Sequence, residues 1–324
     1  MIKKNNQMKY LAIFLFLILT KFSFAQIVEN IDTISIDDYK MESINLPLTL
    51  NEISTLEYEK EDKNVASFWG LNDSDSKPEL YRFDAKTGEI INTIFIANAP
   101  NIDWEEMSSD DNRIYFADFG NNLGKRKDLA IYFIEKSNID YSKSYQQLKA
   151  EKIEFYYPEQ ETFQFKNMTT NWDAEAFFVY QNQLHIFTKE WSNMATSHYV
   201  IPIDSSKKHA AKKLETFPTN YAVTAAYIDA NVNSSTKGIY LLGYTKEALT
   251  FINWFDLPKD NNQLFFTSQV KKISLPLGFT TQLGQLEGIS VLPTENKICF
   301  SGEEFNYKGF YAKQVVHCIN NFTN

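Results

Sequence analysis

Four glutamates, Glu52, Glu105, Glu175 and Glu287, each open a short run of alternating apolar and polar residues. A threonine, Thr224, holds the matching place in a fifth run. Two of the runs carry another acid two residues earlier, Asp103 and Asp173. Side chains two apart on a strand share a face, so Asp103 and Glu105 point the same way, as do Asp173 and Glu175. Such carboxylates cannot all stay ionised and bare at close range, because like charges raise one another's pKa. A bound cation, a nearby base or backbone N–H donors must compensate. Oxygen-only ligands favour calcium over a transition metal, and Glu52, Glu105, Glu175 and Glu287 are the expected metal residues.

Other groups converge on the same place. Asp73, Asp118, Lys189, Thr245 and Glu303 end the runs expected to lie antiparallel beside the glutamate-led ones. Asp73, Asp118, Asn121, Asn122 and Lys189 are thus candidate ligand-binding residues, for a small molecule, a glycan or a protein. Asp103, Asp173 and Glu303 are candidates for a catalytic carboxylate pair acting on a sugar, and Lys189 and Arg126 could steady an oxyanion. Trp104, Trp172 and Trp191 lie beside the acids, where each could floor a sugar site or pack between elements. The bland alternative is that the acids only join neighbouring elements through hydrogen bonds.

Several chemistries are excluded. His185, His198, His209 and His317 lack metal-binding spacing. Gly120–Gly124 is glycine-rich, but a strand follows it, so it is no phosphate loop. No Gly-x-Ser-x-Gly elbow occurs. Cys299 and Cys318 are expected as two buried thiols, although export would permit a bond between them.

The elements that position these acids recur. An outer type reads Glu42–Leu48, Glu89–Ile96, Glu151–Pro158, Lys212–Pro218 and Lys271–Leu277. Inner runs begin at Glu52, Glu105, Glu175, Thr224 and Glu287, and two further strands follow each of them. Five units of four strands predict an all-β fold, a five-bladed β-propeller. Extra strands within 158–171 or 256–269 would make six. The last unit lacks an outer strand, while Glu42–Leu48 precedes the first inner one. Strand 42–48 therefore closes the last blade, and one propeller domain spans 42–324 after a 26–41 extension. Inner strands converge on a central channel, so the acids form a ring at its mouth.

At the N-terminus, Lys3, Lys4 and Lys9 precede the apolar stretch 11–20 and then Ser23-Phe24-Ala25. This is the pattern of a secretory signal peptide over 1–25, with a secreted or periplasmic product. No later stretch is apolar enough to span a membrane. The chain's net charge of −9 becomes −13 once the four leader lysines (3, 4, 9 and 21) are removed. That charge argues against nucleic acid as a partner.

The motifs Asp103-Trp-Glu-Glu-Met, Asp118-Phe-Gly-Asn-Asn, Trp172-Asp-Ala-Glu-Ala, Phe187-Thr-Lys189 and Leu286-Glu-Gly-Ile resemble those of a group of secreted bacterial propeller proteins, a resemblance that implies no activity. Leu286-Glu-Gly-Ile is also distantly similar to elements of calcium-dependent lactonase, phosphotriesterase-like and phytase-like propellers. That similarity would imply a channel calcium and a hydrolase acting on an ester, lactone or phosphoester. Thr224, where an acid is expected, departs from a symmetric ring. A glycosidase and a non-catalytic interaction module complete the readings open at this point.

Overall fold

The computed structural model describes residues 31–59, 65–163, 166–231, 233–258, 263–267, 270–307 and 309–323. The leader expected over 1–25 lies outside them. The alternating runs pair into five sheets, each an antiparallel meander that starts at a central strand. The inner strands are Glu57–Tyr58, Trp104–Ser109, Ala174–Tyr180, Ala222–Asp229 and Leu286–Leu292. They touch in cyclic order around one axis, as in a five-bladed propeller. No sixth sheet of this kind forms among the described residues.

The two ends of the chain close the ring. Glu42–Asn45 runs antiparallel to Val315–Asn320, with Glu42 opposite Cys318, and becomes the outer strand of blade 5. Just before it, Asp32–Thr33 lies parallel to Lys272–Phe279 on the edge of blade 4. The same device occurs twice more. Tyr145–Leu148 lies along the edge of blade 1 before the chain forms the outer strand of blade 2. His209–Ala210 does so on blade 2 before the outer strand of blade 3. These fifth strands cover open sheet edges.

Apolar side chains fill the wedge between each pair of blades. Trp104 is wholly buried and packs on Phe116, 4.7 Å between rings, between blades 1 and 2. Phe119 meets Phe155 and Phe177 edge-on between blades 2 and 3. Trp104 is therefore a core residue and no floor of a sugar site.

The expectation of two free thiols is corrected. The strand register sets Cys299 directly opposite Cys318, and the two form a disulfide with Cα atoms 4.1 Å apart. The alternation of the two strands does not by itself reveal this register, and the pairing depends on it alone. Such a bond is consistent with export to an oxidising compartment. No helix among the described residues is long and apolar enough to cross a membrane.

Candidate functional site

The acids reach the channel mouth through one repeated irregularity. Ile53, Trp104, Ala174, Val223 and Leu286 each pair with the end of the second strand of their blade. In blades 2 to 5 the register then shifts, so the inner strand bulges toward the axis. The residues at this step are Ser54, Glu105, Glu175, Thr224 and Glu287. The ring therefore holds three carboxyls, with Ser54 in the place assigned to Glu52. Glu52 sits two residues earlier, in the row of Asp103 and Asp173. It is exposed and accepts a hydrogen bond from Ser76 at 3.2 Å.

Asp73, Asp103 and Glu105 come closest together. Each offers a carboxylate oxygen within 4.8 Å of the others, a group that could hold a metal ion. Only Glu105 of the three is among the expected metal residues. Asp73 enters from the end of the neighbouring blade's second strand. Gly120 permits the approach, because a Cβ there would overlap both Glu105 and the Asp103 carboxyl. Glu175, Glu287 and Glu303 surround the group closely enough for their charges to act on it.

Burial and mutual repulsion dominate the electrostatics. Burial pushes Asp103 up to about 7, helped by the charges of Asp73 and Asp173. Burial and the charges of Asp73 and Glu175 push Glu303 up to about 8. Glu105, Glu175 and Glu287 are raised well above the ordinary carboxylate range, again chiefly by burial. Lys189 is the ammonium that counters them. Burial works against its charge, but ion pairing with Glu175 and the nearby acids keep it well above its ordinary value. Trp191 and Tyr244 cover it, with ring centroids 4.6 and 5.3 Å from Nζ. One oxygen of Glu175 and one of Glu287 are buried without a hydrogen-bond partner among the described residues. Unpaired buried oxygens of this kind fit a cation better than a structural joint.

Several expected site residues also brace the blades. Asp173 is fully buried, accepting from the Asn121 N–H and from Trp191 Nε1, both at 2.7 Å. It ties blade 2 to blade 3 and presents no face to a substrate. Asn121 completes that joint by donating to the Trp172 carbonyl and accepting from the Arg126 N–H. Arg126 is held by Asp118 at 2.8 Å, Asp128 at 3.2 Å and the Gly120 carbonyl at 3.1 Å. Asp118 also accepts from the Asp103 N–H at 3.2 Å, so this cluster aims Asp103 at the mouth. Asn122 is half-buried beside it, and its carbonyl receives the Met168 N–H. Thr224 donates to the Leu286 carbonyl at 2.7 Å and joins blades 4 and 5.

Glu106 is a channel residue absent from the sequence-based candidates. Successive side chains on a strand normally face opposite ways, but the bulge lets Glu105 and Glu106 both reach the channel. Glu106 accepts from Thr55 of blade 1, from the Met107 N–H at 3.0 Å and from Ala226 of blade 4 at 3.4 Å. It bridges the channel below the acidic mouth. The adjacent acid pair at 105–106 was the available signal.

No family model matches this chain, and no curated protein matches it. Among solved structures it is similar to a Thermus thermophilus protein described as an oxidoreductase (glucose dehydrogenase). The two are 7% identical, with 87% of this chain and 99% of that one covered and a TM-score of 0.45. It is also similar to a Bacteroides uniformis protein described as a 6-phosphogluconolactonase, at 9% identity, 80% and 83% coverage and a TM-score of 0.35. At these identities the likeness is one of fold alone.

Proposed function

We propose that this chain is an exported propeller that holds a divalent cation, calcium by its ligand chemistry, at the acidic mouth of the channel. The ion would present an open coordination position to an oxygen-rich small molecule or glycan. The carrying observation is the Asp73, Asp103 and Glu105 triad, ringed by buried acids with unpaired oxygens and offset by one buried lysine. Three carboxylates suit the hard, oxygen-preferring calcium ion, and no histidine or thiol belongs to the group.

The test is metal analysis of residues 26–324 with thermal melting in calcium and in chelator. Bound calcium and a lower melting temperature in chelator are expected. Glu175→Gln should weaken calcium binding by roughly tenfold or more, the usual scale for supporting groups around a metal. Unchanged affinity in this variant together with Asp103→Asn would refute the assignment.

A hydrolase reading has one specific observation in its favour. Glu303, pushed up to about 8 and outside the triad, can take up and release protons near neutral pH, as general acid–base catalysis requires. When bound, the metal would supply Lewis-acid polarisation of an ester, lactone or phosphoester. Turnover of none of these by the calcium-loaded protein would remove this reading.

A further inference from the structure

A cavity of about 400 Å³ opens between blades 3 and 4, beside the acidic mouth. Its apolar wall is Met168, Trp191, Met194, Tyr244 and Ala248. Trp191 and Met194 pack with Ala222, and Tyr244 lies against them, in a cluster apart from the cores between blades. The cavity shares its inner wall with the mouth. Trp191 and Tyr244 are the two rings that cover Lys189. Gln285, also in the lining, donates to Glu287, and its carbonyl receives the Glu303 N–H at 3.0 Å. Lys246, which is exposed, is the one charged side chain among the described lining residues.

The backbone shows that this wall is built against local preference. Eight described residues other than glycine have φ in the left-handed region. Five of them are Asp, Asn or Gln, and the short polar side chains tolerate it best. The other three are Met168 at 56°, Met194 at 53° and Ala248 at 64°, and all three line this one cavity. Met194 and Ala248 close the tight turns between the second and third strands of blades 3 and 4, where glycine or asparagine is the usual residue. Glycine there would relieve the backbone but remove the wall. Strain of this kind persists only where surrounding structure holds it, and it collects at ligand sites. Two thioethers beside two rings make an adaptable apolar lining, and the volume is that of a small-molecule site. We propose that this cavity receives the neutral apolar group, alkyl or aryl, of a ligand whose oxygen-bearing end lies at the mouth. The inference rests on the ligand site proposed above and narrows its occupant from a bare glycan to a molecule with an apolar tail.

Seating the apolar group does not need the cation, so the two readings fail separately. The mature chain, with isotope-labelled methionine methyls, would be titrated by NMR with butanol, hexanol, octanol and benzyl alcohol, in calcium and again in chelator. Glucose is the control ligand. The Met168 and Met194 methyls should shift in both conditions, while Met107, buried between blades 1 and 2, should not. Affinity should rise roughly two- to fourfold for each added CH₂ until the cavity is full. The tighter of hexanol and benzyl alcohol identifies the tail as alkyl or aryl. Met168→Asn combined with Ala248→Asn puts residues that accept the left-handed region in both places. Its melting temperature should hold or rise, while hexanol affinity falls roughly threefold or more. The chain-length series on the native chain is decisive whether or not this variant folds. Methyls that no alcohol shifts, affinity that ignores chain length, or glucose acting on the same methyls would overturn the proposal. So would a double variant that binds hexanol as well as the native chain does, or a dimer that the double variant dissociates. Alcohol-induced shifts in a protein that binds no calcium would refute the cation and leave this cavity's role standing.

Discussion

Stability without a cation should fall as pH rises, and Asp103 sets the scale. Its folded pKa is about 7, against an ordinary value of 3.8. The folded state therefore holds this proton more tightly than the unfolded chain does. Below pH 4 both states are protonated, and the site imposes no penalty on folding. Between pH 4 and 7 the unfolded chain releases the proton and gains stability relative to the fold. At about 1.4 kcal/mol per tenfold change in proton affinity, the full loss is about 4 kcal/mol. Glu303, raised to about 8, extends the decline to higher pH. Both acids feel Asp73, so their effects overlap and do not sum in full. The assay is urea unfolding in chelator from pH 5 to 8.5, on the native chain and on Asp103→Asn. Stability should drop across this range, and the variant should show a shallower drop. Saturating calcium should reverse the trend, because the ion needs ionised ligands. At a hundredfold excess over Kd it should add about 2.7 kcal/mol. Stability that rises with pH in chelator, or a slope that Asp103→Asn leaves intact, would refute the electrostatic reading of the mouth.

Two further outcomes test the frame that holds the mouth. Reducing the Cys299–Cys318 bond, or replacing both residues with serine, opens a loop with a separation of 19 residues. This should cost about 3 kcal/mol, read as a lower urea midpoint, while an unchanged midpoint would show that the bond constrains nothing. Removing residues 26–46 strips the outer strand from blade 5 and leaves Val315–Asn320 as an open edge. Such a chain should lose cooperative unfolding or aggregate, and a sharp native-like melt would refute closure by this strand.

The repeat was legible because each blade is built from period-two runs separated by turns, and closure was legible because one outer-type run stood unclaimed before the first inner strand. The register within each blade was not legible. Glu52 looked equivalent to Glu105, yet Ser54 occupies that step, since a shift in register moves every later side chain. The same dependence on register concealed the pairing of Cys299 with Cys318 and the inward turn of Glu106. The parallel edge strands at 32–33, 145–148 and 209–210 carry too few residues for any alternation to stand out. The triad drew Asp73 and Asp103 from different blades, a contact that no spacing within one unit encodes.

The acids of the channel divide by the donors around them. Asp173 has an N–H on each oxygen, and Asp118 has Arg126 and the Asp103 N–H. Glu106 receives a hydroxyl and two backbone N–H groups. Their carboxyls already meet the need that a buried acceptor has, so they act as joints between blades. Glu175 and Glu287 occupy the same bulge step as Glu105, yet each retains a buried oxygen with no donor among the described residues. Leaving such an oxygen unmet costs about 1–3 kcal/mol, more when it is charged. Among the channel acids it is therefore Glu175 and Glu287, beside the triad, that carry this cost, and an arriving cation would relieve it. Gly288 bears on the same point from the other side. A Cβ there would overlap Ser301 and the Thr55 backbone, so the glycine lets blade 5 close against blade 1. That closure brings Glu287 within reach of Asp73's charge, which helps burial raise the Glu287 carboxyl, and a cation at the triad would offset this repulsion.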